Sequence, residues 1–143
     1  MIQRKRAQGF TLVELLLVLA ILGIISAIAI PSFLGQRRRA RVIGDAQSNA
    51  RVLSMALETR KADNGVYGVA GTTTGYSADG TRTGTDIAPT FQPQGNSKMN
   101  YSIAIAGNGL TYTITVTDPH NGGAKVMTLN QAGTVTLDPV YNK

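Results

Sequence analysis

The sequence predicts an α+β fold, with a long, partly membrane-embedded amino-terminal helix packed against a small antiparallel β-meander. Three observations predict it. Residues 10–34 are an almost unbroken apolar run whose one charge is Glu14. From Pro31 to about Lys61 apolar residues recur at helical spacing, and beyond Tyr101 apolar and polar residues alternate in short runs divided by Gly and Asn. A helical stripe and a strand face of this kind bury one another as two layers.

The charge is segregated in the same way. Residues 1–61 hold ten basic residues against three acids, a net +7. Residues 62–143 hold four against five, a net −1. With 143 residues, 43% hydrophobic and 15% charged, the chain has the length of one ordinary domain and is too apolar to be disordered. The absence of Cys excludes a disulfide framework, a thiolate metal site and a cysteine nucleophile. A single histidine, His120, argues against a multi-histidine zinc site and reads as a loop residue. No Ser, His and Asp stand in a recognisable hydrolase motif. The expectation is a protein that is not an enzyme and uses no cofactor.

The run Phe10–Leu34 is long enough for a helix to cross a bilayer, which takes about 20 apolar residues. Arg4, Lys5 and Arg6 precede it and favour a cytoplasmic amino terminus. Arg37, Arg38, Arg39 and Arg41 follow it, so charge alone does not set orientation; the polar half beyond is what needs export. A secretory signal peptide would use Ala27-Ile28-Ala29 as its cleavage site, but this run is long and carries a carboxylate near its start. A plain anchor would not carry that carboxylate, which costs about 2.5 kcal/mol or more in hydrocarbon. A soluble core helix fails because the run is apolar all round and the chain is small.

Gly9-Phe10-Thr11-Leu12-Val13-Glu14, ahead of this run and behind a short basic leader, resembles the start of type IV pilins and of the related pseudopilins of type II secretion. The likeness extends loosely over residues 4–67. The resemblance implies a pilin fold with a leader, 1–9, cut by a prepilin peptidase after Gly9. It implies N-methylation of the new terminus at Phe10, and pairing of Glu14 with the positively charged terminus of a neighbouring subunit. A carboxylate and an ammonium each relieve the other's cost in an apolar medium, so such a pair acts as a register device. Glu14 is four residues from Phe10, and within one subunit it could also reach its own terminus. The resemblance also implies that helix is lost between Gly23 and Pro31 in a filament. In the free subunit, Pro31 removes one backbone hydrogen bond and predicts a kink.

Residues 10–35 would then form the transmembrane or filament-core helix, and residues 36–143 a globular head. Phe33, Val42, Ile43, Ala46, Ala50, Leu53 and Leu57 return to one helix face, opposite Gln47, Arg51 and Glu58. Asp63-Asn64-Gly65 is a stop signal. A helix over 10–63 would be about 80 Å long. The cluster Arg37, Arg38, Arg39 and Arg41 reads as headgroup anchoring or inter-subunit pairing. Weak DNA binding is its alternative reading, without interleaved aromatics to stack bases.

Residues 66–100 read as a surface connection, with Val69–Asp86 a long loop. Strands are expected at Tyr101–Ile105, Leu110–Thr117, Ala124–Leu129 and Thr134–Leu137, with a tight turn at Gly107-Asn108-Gly109 and loops at Asp118–Gly123 and Asn130–Gly133. Their apolar face should cover Val42, Ile43, Ala50, Leu53 and Leu57. Many pilins close the carboxy-terminal region with a disulfide. Here packing must hold it, with Tyr141 the candidate. Asp118 and Asp138 are too isolated for calcium and read as surface loop residues. Asn100-Tyr101-Ser102 is a weak glycosylation sequon at a strand start.

The function so implied is a structural subunit of a type IV pilus, serving motility, adhesion or DNA uptake. The expected partners are identical subunits in a helical filament, the prepilin peptidase, an assembly platform and, before assembly, the inner membrane. A type II secretion pseudopilin is the alternative. A membrane-anchored extracellular binding domain that does not assemble is the third.

Overall fold

A computed structural model of the chain describes residues 9–142. Arg4, Lys5, Arg6 and the rest of the expected leader before Gly9 lie outside the described residues. The chain divides into two compact units, Met1–Arg38 and Arg39–Lys143. One helix, α1 (Leu12–Asn64), supplies residues to both. Six strands follow: β1 (Thr73–Tyr76), β2 (Arg82–Thr83), β3 (Asn100–Ile105), β4 (Tyr112–Asp118), β5 (Ala124–Asn130) and β6 (Val135–Leu137).

In the first unit α1 is apolar on all sides and exposed on all sides. It is long and apolar enough to cross a membrane, and none of its most apolar stretch is buried. Pro31 lies within it and the helix continues past it. A single proline forfeits one ladder bond, and the neighbouring turns retain theirs.

In the second unit α1 becomes one-sided. Val42, Ala46, Asn49, Ala50, Leu53 and Leu57 are buried, at spacings of three and four that keep to one face. Ile43 is partly buried against the same core, and Arg51 and Glu58 are exposed. Gly65, in the left-handed conformation (φ 77°), ends the helix and donates to the Lys61 carbonyl at 2.8 Å.

The sheet is antiparallel throughout, in the order β2-β1-β3-β4-β5-β6. Strands β3 to β6 form the expected meander, and the Gly107–Gly109 turn closes with Gly109 donating to the Ala106 carbonyl at 2.9 Å. Alternate residues Tyr101, Ile103 and Ile105, Tyr112, Ile114 and Val116 point into the core, joined by Val126, Met127 and Leu129. Both edges are short, two residues in β2 and three in β6.

Three expectations fail. The stretch Val69–Asp86 is not a loop, since it carries β1 and β2 and buries Thr74 and Tyr76. Thr is a good strand former, and Tyr76 is fixed by donating to Asp86 Oδ1 at 3.0 Å and accepting from the Ala88 N–H at 2.8 Å. A Cβ at Gly75 would lie 2.4 Å from Thr83 Oγ1, so a larger residue there would require the Thr83 side chain to turn away. Asp118 is not a surface residue either. It is 4% exposed, caps the 3-10 turn Pro119–Asn121 and accepts from the His120 N–H at 2.9 Å. A polar end to an apolar strand reads as a loop in sequence, but here a capped turn buries it.

The connection before β3 is also built into the core. Ile87, Ala88, Phe91 and Met99 are buried. The segment Gln94–Ser97 is held on α1. Asn49 donates to the Gln94 carbonyl at 2.7 Å and accepts from the Gln94 N–H at 2.9 Å, and the Asp45 carboxylate accepts from the Ser97 N–H at 3.1 Å and from its hydroxyl.

Candidate assembly site at the start of the helix

Gly9 and Phe10 precede α1 and are exposed, Phe10 by 85%. A Cβ on Gly9 would meet nothing within 4 Å. The peptide bond between them is therefore unobstructed among the described residues.

Thr11 is the residue before the first helical turn, and Glu14 is the third residue of that turn. The Thr11 N–H and hydroxyl both donate to Glu14 Oε2, each at 2.8 Å, and the Glu14 N–H returns a bond to Thr11 Oγ1 at 3.2 Å. This is a capping box, the reciprocal satisfaction of two helix-start donors. A Thr and a Glu three residues apart, just before an apolar run, is its sequence signature. The box fixes the only charge of the apolar segment at its first turn. Both donors use Oε2, so Oε1 makes no hydrogen bond among the described residues. An ammonium brought to this surface would find a held carboxylate oxygen with acceptor capacity to spare.

Gly23 lies on open helix surface, with nothing within 4 Å of an added Cβ. Arg37, Arg38 and Arg41 are exposed and have no ion pair among the described residues, whereas Arg39 is partly buried and partnered. The described residues contain no cluster of three or more His, Asp or Glu that could hold a metal ion.

The family model for the prokaryotic N-terminal methylation motif matches residues 4–30, which span the capping box and the exposed apolar helix. The chain carries the prokaryotic N-terminal methylation motif, and its amino-terminal part is similar to type IV pilins and type II secretion core proteins. Among its curated relatives, a type II secretion system core protein G of Pseudomonas aeruginosa is 35% identical over 65 residues, 46% of this chain and 45% of the relative. The type IV major pilin protein PilA of Myxococcus xanthus is 43% identical over 54 residues, 38% of this chain and 24% of the relative. The type IV wide pilus major component PilA4 of Thermus thermophilus is 53% identical over 36 residues, 25% of this chain and 28% of the relative. The chain thus spans less than half the length of the pilin and pseudopilin relatives it matches. No solved structure matches it.

Proposed function

We propose that this chain is a structural subunit of a type IV pilus. In this reading it enters the inner membrane as a precursor, is cut after Gly9 by a prepilin peptidase, is N-methylated on Phe10 and joins identical subunits in a helical filament outside the cell. Residues 10–35 serve as membrane anchor and then filament core, and residues 36–143 as the head. The observation that carries the proposal is an apolar helix surface with no cover among the described residues, bearing one carboxylate at its first turn. Apolar surface of that extent needs lipid or protein around it. Lipid covers it before assembly and neighbouring helices afterwards, while Glu14 Oε1 meets the charged terminus of the next subunit. Arg37, Arg38 and Arg41 serve at the headgroup level, with weak DNA binding as their second reading.

A pseudopilin of a type II secretion system is the alternative, and it draws on the 65-residue likeness to core protein G. Deletion of the gene separates the two: loss of surface filaments supports the pilus subunit, and loss of exported enzymes with filaments intact supports the pseudopilin. Mass spectrometry of the mature protein should find methylated Phe10 as its first residue. A terminus after Ala29 would overturn both readings and restore a secretory signal.

A further inference from the structure

The face of the sheet turned away from the core carries its hydroxyls in a rank. The strand register aligns Thr83 with Gly75, Gly75 with Ser102, Ser102 with Thr115, Thr115 with Thr128 and Thr128 with Thr136, one residue from each of the six strands. Where β1 supplies only Gly75, Thr83 Oγ1 occupies the space in which a side chain would start. None of the five hydroxyl residues is buried, and none of their hydroxyls makes a hydrogen bond among the described residues. Thr73, Ala104 and Thr113 form a second rank two residues along the strands. Of the charged residues in the strands, only Lys125 belongs to this face, because Arg82 lies over the Tyr76 ring and Asp118 is buried. Lys, Arg, Glu and Asp are the residues ordinarily found on exposed surface. A face that met only water would have no need to exclude them.

A hydroxyl both donates and accepts, so a rank of hydroxyls is complementary to a copy of itself. Two copies of one sheet share one strand spacing and one hand of twist, and faces matched in this way pack with their strands nearly aligned. A chain of net charge +6 repels its own kind, and an uncharged face is where two copies meet at least cost. We propose that this face pairs with the same face of a second copy, the two related by a twofold axis. The ranks extend about 24 Å across the strands and about 14 Å along them, roughly 350 Å² a side, which is less than half of a standard interface. The pairing is therefore weak between single chains and gains by avidity wherever copies are arrayed. It needs two heads only and does not rest on filament assembly.

Thiol crosslinking of the full chain in detergent micelles tests it, and the absence of native Cys keeps the readout clean. Thr115→Cys places a thiol beside the middle of the rank, and Thr90→Cys places one on exposed chain outside the strands. With a short bis-maleimide at equal protein concentration, Thr115→Cys should form covalent dimers at least ten-fold faster than Thr90→Cys. Adding Thr128→Lys sets like charges against each other across the pair and should bring the Thr115→Cys rate down to that of Thr90→Cys. Adding Thr128→Ser keeps the hydroxyl and should leave the rate near its original value. Salt should restore the lysine variant in part, since exposed charges are screened, and a misfolded head would not respond. Equal rates for Thr115→Cys and Thr90→Cys, or an unchanged rate with Thr128→Lys, would each overturn the proposal.

Discussion

The Tyr141 hydroxyl donates to Asp118 Oδ2 at 3.1 Å, and both groups are buried. The bond ties the end of the chain to the turn after β4, where the His120 N–H occupies the other carboxylate oxygen. Packing was expected to hold this region without a disulfide, and a buried charge-assisted bond adds to it. Tyr141→Phe keeps the ring and leaves the carboxylate one partner short. The expected loss is about 1–3 kcal/mol, read from the denaturant midpoint of the full chain in micelles. An unchanged midpoint would show that the bond contributes nothing net.

Alkaline pH should unfold this protein through its tyrosines. Burial pushes the Tyr76 hydroxyl up to about 12, and burial raises Tyr101 and Tyr112 as well. An unfolded tyrosine ionises near pH 10. Above that pH the unfolded chain has lost protons that the folded chain keeps, so the stability is complete below about pH 10 and falls as the pH rises toward 12. Ultraviolet titration should resolve a late-ionising class among the five tyrosines. Uniform ionisation near pH 10 in the folded state would contradict it.

Gly80 and Gly84 bracket β2 and separate two effects. Both have positive φ, 88° and 78°. An added Cβ at Gly80 meets nothing within 4 Å, whereas at Gly84 it would lie 2.2 Å from the Thr73 carbonyl oxygen. Gly80→Ala should cost about 1–2 kcal/mol from backbone conformation alone. Gly84→Ala should cost more, because backbone must move as well. Thermal melting of the two variants side by side checks the order, and equal losses would remove the steric term.

Glu14→Val should leave membrane insertion intact, since it makes the segment more apolar. Cleavage at Gly9-Phe10 should persist, and filament yield by electron microscopy should fall while mature subunit accumulates in the membrane. Glu14→Asp keeps the charge and shortens its reach, so an intermediate yield is expected. Normal filaments from Glu14→Val would remove the carboxylate from assembly. Loss of insertion would place its role in targeting.

The helix and the four strands of the meander were legible because their signals are periodic and local. Leu53 and Leu57 fall on one helical face, and Thr111–Thr117 alternates cleanly. The hairpin β1–β2 was not legible. Its residues are Thr, Gly, Arg and a single Tyr, and what makes it sheet is pairing with β3 across some 25 residues of chain. Asp118 was misread for a similar reason, since its burial depends on Tyr141, 23 residues away. At the candidate assembly site, position and residue type were plain in Gly9, Phe10 and Glu14. The clasp of Thr11 on one carboxylate oxygen needed coordinates.

The brevity of β2 and β6 has a consequence for any polymer this chain enters. A sheet grows by strand addition only where its rim offers a row of unpaired backbone donors and acceptors, and rims of two and three residues offer very few. Recruitment of a neighbour by exchanging ladder bonds is disfavoured at such rims. Subunits would have to associate as finished bodies, through side chains, and each could be withdrawn as it was added, without passing through an unfolded state.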